Sequence, residues 1–335
     1  MSEPKPKSKR KIQPFRQLLD GLAPVAFDAA AFLLGLLGRR GMEGLARQAG
    51  WLMPRFRRGT HRLVLENLGL AFPERGAEER ERIARESYFN VALNALISLR
   101  LVRKPLAAVE DIDISALDQC PAMVRNRTDG APALVVMSHL GNWELLGLAV
   151  SRQGVPVSAI AHPIPNKGIE ERVLRTRQTF GLQVVSSRGG VDGLRQAARA
   201  GRVLAILMDQ KTHISQGGAF ADFFGLPVPM TRAPSVLARR LKLPIVAAAC
   251  VREGGGYRLI LEEITGDASQ YASDEELLQK LAAANERLIR AYPEQYVWTY
   301  RRWRYIPNWA DKALAARFPS YARRYSGSSL RPRQR

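Results

Sequence analysis

The fold is decided at Ala133-Leu134-Val135-Val136-Met137-Ser138-His139-Leu140-Gly141-Asn142-Trp143-Glu144, where one apolar run ends and another begins. The first run is short and rich in valine, which predicts a buried strand, and the run over residues 145–150 predicts a packed helix. Open α/β sheets bind their ligands where strands end and helices begin. His139 and Glu144 are therefore the first catalytic candidates.

The spacing of His139 and Glu144 limits how they can interact. Five residues along a helix correspond to roughly 500°, so two helical side chains at this spacing would not share a face. If His139 ends the strand and Glu144 lies in the first helical turn, Glu144 can accept the proton of one ring nitrogen and leave the other as a base. Asn142 is the predicted helix N-cap. The same spacing also fits a surface histidine beside a glutamate that favours the helix dipole.

Strand-like and helix-like runs alternate after residue 131, which predicts an α/β fold with a mostly parallel central sheet covered by helices. The predicted strands cover residues 134–137, 155–160, 183–185, 203–208, 245–251 and 257–262. The predicted helices cover residues 144–153, 170–180, 191–200, 234–241 and 274–292. Upstream, residues 41–104 are predicted to be helical with a break near 72–76, and the glycines at 254–256 predict a hairpin turn.

Polar residues follow three of these strands: His139, His162 and the run Asp209-Gln210-Lys211. In a parallel sheet these positions converge along the carboxyl edge, so we expect one site there. Asp209 and His213 could also be metal ligands with His139, but the spacing matches no known zinc pattern.

An apolar, glycine-containing segment covers residues 217–225 and includes Phe223 and Phe224. We expect it to line a groove for a hydrophobic chain. The alternative is a loop folded onto its own core.

The charge of the protein points to an anionic partner, because 51 Lys and Arg residues against 31 Asp and Glu residues give a net charge of +20. The options are nucleic acid, an anionic membrane, a phosphorylated substrate or an acidic protein. The arginines are spread along the chain, which argues against a nucleic-acid-binding protein with interleaved aromatics. Cys120 and Cys250 fit neither a disulfide framework nor a zinc site.

The N-terminal region combines basic residues with an apolar segment over 18–38. Its length would just cross a bilayer core of about 30 Å. However, Asp20, Pro24 and Asp28 interrupt it, and an aspartate at mid-bilayer costs about 3 kcal/mol. We therefore expect a helix in the cytoplasmic leaflet in preference to a span, with a buried core helix as the alternative. The basic residues are Lys5, Lys7, Lys9, Arg10 and Lys11.

Three regions follow from these patterns. Residues 1–40 are a basic arm with a membrane-associating helix, residues 41–310 are one catalytic domain, and residues 311–335 are a basic, mobile tail. The basic residues of the tail are Arg323, Arg324, Arg331, Arg333 and Arg335.

The chain resembles the late acyltransferases of lipid A biosynthesis, within the wider lysophospholipid acyltransferase group. The motif His139-x4-Glu144 carries the resemblance only together with an ordered set of other segments, over roughly residues 40–306. Those segments are Glu66-Asn67-Leu68, Phe72-Pro73-Glu74, Asp209-Gln210, Phe223-Phe224-Gly225, Thr231, Pro293-Glu294-Gln295-Tyr296-Val297-Trp298 and Arg301-Arg302-Trp303.

The resemblance implies transfer of an acyl chain from a thioester to a hydroxyl, with His139 as the general base and Glu144 fixing its tautomer. It implies an acyl carrier protein as the donor, or acyl-CoA as in some relatives, and a phosphorylated, acylated lipid A precursor as the acceptor. It places the enzyme at the cytoplasmic face of the bacterial inner membrane and implies no metal, no cofactor and no covalent acyl-enzyme. The expected substrate-binding residues include Asn142, Asp209, Gln210, Phe223 and Phe224.

The chain departs from the family after the second strand, where the family tends to have an arginine and this chain has His162-Pro163-Ile164-Pro165-Asn166. A permanently charged, bidentate donor is thus replaced by a mostly neutral group. His162 would then bind substrate more weakly, or Arg188 or Arg232 would substitute. This leaves another glycolipid, such as a mannoside, or a lysolipid as an alternative acceptor.

Overall fold

A computed structural model of the protein describes residues 14–187 and 189–326. The α-helices are α1 Pro14–Leu36, α2 Arg39–Phe56, α3 Arg58–Ala71, α4 Ala77–Leu101, α5 Pro105–Val109, α6 Ala116–Gln119, α7 Pro121–Asp129, α8 Trp143–Arg152, α9 Lys167–Gln178, α10 Gly190–Arg199, α11 Ala233–Leu241, α12 Asp274–Ala291 and α13 Lys312–Ala316. The strands are β1 Ile112–Asp113, β2 Leu134–Gly141, β3 Val157–Ala161, β4 Gln183–Ser186, β5 Val203–Leu207, β6 Gly218–Phe223, β7 Leu226–Thr231, β8 Ile245–Glu253, β9 Gly256–Thr265, β10 Tyr305–Ile306 and β11 Arg323–Arg324.

The central sheet has seven strands in the order β1-β9-β8-β2-β5-β3-β4. Every neighbouring pair is parallel except β8 and β9, which are antiparallel and meet where Glu253 faces Gly256. The predicted α/β class, the mostly parallel sheet and the hairpin turn at residues 254–256 are confirmed. Since β2 lies between β8 and β5, its carboxyl end is at the centre of the sheet edge.

Strand β2 is buried on both faces, as its continuous apolar run predicts. Its side chains alternate between two cores. Val135 and Met137 pack on the side of α8, whereas Leu134 and Val136 pack on the side of α10, α11 and α12. Helices on both faces therefore leave the edges of the sheet as the accessible part of the strands.

The chain turns sharply where β2 ends. Gly141 has φ of +60°, and a Cβ there would clash with the carbonyl oxygen of Cys250 on β8. The same carbonyl accepts the Asn142 N–H at 2.7 Å, and Asn94 donates its side-chain N–H to the Gly141 carbonyl at 2.6 Å. Asn142 then caps α8, because its Oδ1 accepts the Leu145 N–H at 3.1 Å, as predicted. Glycine at position 141 thus lets the strand pass directly into the helix.

The segment expected to line a groove forms a hairpin instead. Strands β6 and β7 pair antiparallel around Phe224-Gly225, whose φ values of 50° and 72° define a two-residue turn with left-handed backbone. Phe223 and Phe224 are buried, and their rings contact Trp303. The prediction that these two phenylalanines line a groove is wrong, because they fill the core under the hairpin.

Helix α1 covers most of the apolar N-terminal segment and is attached to the domain by a partly exposed charge pair. Both carboxylate oxygens of Asp28 accept from Arg172 on α9 at 2.6 Å, and Lys104 donates to the Gly35 carbonyl at 3.0 Å. Val25 and Leu36 remain 62% and 69% exposed, so α1 is not a core helix. None of the helices in residues 14–187 and 189–326 is long and apolar enough to cross a membrane. The basic residues at positions 5–11, which belong to the predicted N-terminal arm, lie outside the described residues.

The predicted boundary at residue 311 does not coincide with the end of packed structure. Strand β11 pairs in parallel with β10, and Tyr325 is 4% exposed. Residues 311–326 therefore include segments that pack against the domain. The rest of the predicted tail, residues 327–335, lies outside the described residues.

Candidate active site

His139 is held by Asp209, which approaches it from the neighbouring strand. The carboxylate accepts the ring Nδ1 proton at 2.8 Å through Oδ1 and the backbone N–H of His139 at 3.0 Å through Oδ2. The register explains the meeting: Met137 on β2 pairs with Leu207 on β5, and His139 and Asp209 each follow two residues later. The predicted convergence of polar residues at the carboxyl edge is confirmed for this pair.

Burial and charge oppose each other in this pair. Burial would raise the pKa of Asp209, but the hydrogen bond and charge of His139, together with the nearby Arg302 guanidinium, hold that pKa below its usual value. Burial would also lower the pKa of His139, but the hydrogen bond and charge of Asp209 and the charge of Glu144 raise it above its usual value. Asp209 therefore favours the imidazolium form of His139.

The second ring nitrogen of His139, Nε2, is not bonded to Asp209. Because Nδ1 donates to Asp209, Nε2 carries the lone pair in the neutral ring. The side-chain nitrogen of Gln210 lies 3.4 Å from Nε2, and the Trp143 ring packs edge-on against the imidazole with centroids 4.8 Å apart. The His139 side chain is 18% exposed, and the contact between its Nε2 and Gln210 lies at an exposed position.

Glu144 has a different partner from the one predicted. Its two carboxylate oxygens accept from Arg177 on α9, at 2.6 Å from Nη2 and 3.0 Å from Nε. The expectation that Glu144 accepts the imidazole proton is wrong, because Asp209 occupies Nδ1. Glu144 nevertheless stays close enough for its charge to act on His139. Burial would lower the pKa of Arg177, but the bidentate pair with Glu144 raises it, so Arg177 stays charged.

A cavity of about 440 Å³ opens at His139 and continues between the sheet and α8. Its mouth is polar and includes Glu144, Arg177, His162 and Gln210. Its interior is apolar and reaches Val157 and other residues at the amino ends of the strands. The interior residues include Met123, Val135, Leu146, Val150, Leu182 and Val203. The shape suits a long apolar group with a polar end at His139.

Of the remaining residues predicted to bind substrate, some line the cavity and others do not. His162 lies at the cavity mouth, where its Nδ1 is 2.8 Å from the Ser187 hydroxyl. Arg232 pairs with Glu275 at 3.1 Å, and Arg188 lies outside the described residues. Asn142 is 1% exposed and caps α8, so it shapes the site without lining the cavity.

Sequence reasoning missed three residues that shape the site: Trp143, Arg177 and Arg302. Trp143 is inside the quoted junction, but its contact with His139 depends on the strand-to-helix turn. Arg177 could not be identified because it lies on α9, a highly charged helix without buried residues. Arg302 is 2% exposed, and only the Arg301-Arg302-Trp303 motif drew attention to it.

The chain matches the model of the bacterial lipid A biosynthesis acyltransferase family over residues 15–305. It is similar to the lipid A biosynthesis palmitoleoyltransferase of Escherichia coli (strain K12), with 28% identity over 271 residues, 78% of this chain and 85% of the relative. It is also similar to the lipid A biosynthesis myristoyltransferase of the same organism, with 24% identity over 279 residues, 83% of this chain and 82% of the relative. A solved structure, the 1-acyl-sn-glycerophosphate acyltransferase of Thermotoga maritima, aligns with a TM-score of 0.37 and 12% identity over 78% of this chain and 100% of that chain.

The two carboxylates near His139 are distinguishable by the pKa of the imidazole. Asp209→Asn removes the hydrogen-bonded charge, so we expect the pKa of His139 to fall, because burial is then opposed only by the charge of Glu144. Glu144→Gln is the matched control, with the same change of carboxylate to amide, and should lower the pKa less. Nuclear magnetic resonance titration, with the signal assigned by His139→Ala, measures both. A larger decrease in Glu144→Gln than in Asp209→Asn contradicts the assignment.

Proposed function

Because the chain belongs to the bacterial lipid A biosynthesis acyltransferase family, we propose that it moves a fatty acyl chain from an acyl carrier protein thioester to a hydroxyl of a lipid A precursor, with His139 as the general base. The single observation that carries the proposal is the accessible Nε2 of His139 at the mouth of an apolar cavity. A hydroxyl is a poor nucleophile at neutral pH, and an accessible imidazole nitrogen beside an acyl-sized cavity supplies the base that it needs.

The reaction begins when the acceptor hydroxyl oxygen attacks the thioester carbonyl carbon and Nε2 of His139 takes the hydroxyl proton. Asp209 stabilises the imidazolium that forms, since its carboxylate accepts the Nδ1 proton at 2.8 Å. The tetrahedral intermediate collapses with cleavage of the carbon–sulfur bond, and the imidazolium returns the proton to the departing thiolate. A base placed in this way contributes about 10²–10⁴ in rate.

The oxyanion of the intermediate needs hydrogen-bond donors. The backbone N–H groups of Trp143 and Glu144 belong to the first turn of α8, where N–H groups have no acceptor within the helix. The positive end of the helix dipole adds to their effect. In this proposal Glu144 does not orient the base: it fixes Arg177 at the cavity mouth through two hydrogen bonds.

Two properties support the proposed substrates, and a third points to alternative acceptors. The apolar interior of the cavity fits a fatty acyl chain, and donors of increasing chain length in one assay would measure its usable depth. The net charge of +20 complements both an acidic carrier protein and an anionic acceptor. His162 stands at the mouth in place of an arginine, so the acceptor panel should include a glycolipid mannoside and a lysolipid.

His139→Ala should abolish acyl transfer, because no other group in the proposed mechanism takes the hydroxyl proton. We expect a loss of about 10²–10⁴ or more in kcat, measured with purified full-length protein, acyl-acyl carrier protein and a lipid A precursor. His61→Ala is the control, since His61 contacts Tyr88 and Glu81 on α4 and lies outside the cavity. Circular dichroism would verify that both variants fold. Full activity in His139→Ala would disprove the proposed base.

The protein also associates, in this proposal, with the cytoplasmic leaflet of the bacterial inner membrane. Five large apolar side chains of α1 are about half exposed or more, and their spacing places them within one stripe of the helix. Exposed arginines at the start of α2 adjoin this stripe and would attract anionic lipid headgroups. The apolar residues are Leu22, Val25, Phe32, Leu33 and Leu36.

Leu33→Glu with Leu36→Glu should weaken binding to vesicles that contain anionic lipid, by about tenfold or more, since each buried leucine contributes about 1.5–3 kcal/mol. Flotation with such vesicles measures the bound fraction. Gln119→Glu with Thr128→Glu is the matched control, with the same charge change at exposed positions away from α1. An equal loss in both double variants would mean that charge, and not the apolar stripe, determines binding.

A further inference from the structure

Three cationic side chains surround one tyrosine ring beside the cavity. The Nζ of Lys211 lies 5.4 Å from the centre of the Tyr305 ring, and the guanidinium carbons of Arg304 and Arg323 lie 5.7 and 5.5 Å from it. Arg323 also donates to the Tyr305 hydroxyl at 3.4 Å. Lys211, Arg304 and Arg323 are called the Tyr305 cluster below.

The backbone brings these charges together from distant parts of the chain. Strand β10 pairs in parallel with β11, which sets Tyr305 opposite Arg323 and places Arg304 next to both. Lys211 comes from the segment after β5, and its backbone N–H donates to the Tyr300 hydroxyl at 3.2 Å. The cluster is therefore a product of tertiary structure and not of a run of basic sequence.

The charge of the cluster is not compensated locally. Within residues 14–187 and 189–326, no aspartate or glutamate forms an ion pair with any of its three members. The Tyr305 ring offers each cation a weak attraction, but it cannot cancel the repulsion among three positive charges. Lys211 and Arg304 are partly exposed and Arg323 is exposed, so each of the three is in contact with solvent.

The cluster reaches the cavity through one of its three members. Lys211 lines the same cavity as His139 and Gln210. It follows Asp209 by two residues, so their Cα atoms are at most about 7 Å apart. A group bound to the cluster would thus belong to the molecule whose hydroxyl lies at His139, provided that the molecule carries its negative charge close to that hydroxyl.

We infer that the Tyr305 cluster binds a phosphate monoester carried by the acceptor of the acyl chain. The inference rests on the proposed function, because it assumes that the acceptor hydroxyl lies at His139. Two guanidinium groups offer paired N–H donors that match the oxygens of a phosphate, and the lysine adds a mobile point charge. Binding there offsets the repulsion among the three cations and orients the acceptor.

The test compares the wild-type protein with Arg304→Gln/Arg323→Gln, using a phosphorylated glycolipid acceptor and the same glycolipid after phosphatase treatment. We expect the double variant to raise KM for the phosphorylated acceptor about tenfold or more, with kcat largely retained and KM for the acyl donor unchanged. It should leave KM for the dephosphorylated acceptor unchanged.

Arg199→Gln/Arg240→Gln is the control, because it removes the same charge at exposed positions on α10 and α11, and it should change none of these values. Lys211→Met is a second, less disruptive variant with the same expected direction.

Binding without donor separates the two proposals. Each glycolipid is titrated into the wild-type and variant proteins in detergent micelles, where no acyl transfer takes place. If the wild type transfers no acyl chain, the proposed function fails, while tighter binding of the phosphorylated glycolipid would still support the cluster. Equal binding of the two glycolipids, or a KM for the phosphorylated acceptor that the double variant leaves unchanged, overturns the inference. A raised KM for the acyl carrier protein alone would also overturn it and make the cluster a surface for the acidic donor.

Discussion

The site depends on the two hydrogen bonds that Asp209 accepts from His139. One comes from the backbone N–H and the other from Nδ1 of the ring, so the carboxylate fixes the tautomer and the position of the side chain together. The parallel register of β2 and β5 produces this arrangement, since the two residues follow a paired Met137 and Leu207 by the same number of positions. A shift of one residue in that register would separate them.

The two carboxylates near His139, Asp209 and Glu144, have different roles because each lies near a different arginine. Asp209 is buried close to Arg302, whose charge helps to keep it ionised in a nearly dry environment. Glu144 is tied to Arg177, which holds it at the mouth of the cavity. Because Glu144 is paired with Arg177, Asp209 alone of the two carboxylates contacts the ring of His139. The cavity mouth therefore keeps a fixed arrangement of charge around an accessible Nε2.

Much of the fold could be predicted because it depends on local sequence patterns. The apolar run before His139, the cap at Asn142 and the polar strand ends each depend on a few neighbouring residues, and the structure has them where the patterns indicated. The partner of His139 could not be predicted in this way. Asp209 is 70 residues away, and the shorter spacing to Glu144 looked like a sufficient explanation.

Other errors have the same physical origin. Phe223 and Phe224 resemble groove residues in sequence, but a turn with positive φ at position 224 folds both rings into the core. The expectation that Asp28 interrupts a membrane span is not contradicted, but its partner Arg172 lies 144 residues away and was also not predicted. In each case a contact between distant elements determines the role of the residue, and local periodicity carries no information about such contacts.

The most direct test of the account is the pH dependence of kcat/KM in Asp209→Asn and Glu144→Gln. The raised pKa of His139 predicts that wild-type activity rises with pH through a value above about 6.5, as the base form appears. Asp209→Asn should lower kcat/KM by about 10²–10⁴ and shift this rise to lower pH. Glu144→Gln should leave the rise near its wild-type position. A profile that shifts in Glu144→Gln and stays in place in Asp209→Asn would contradict the account.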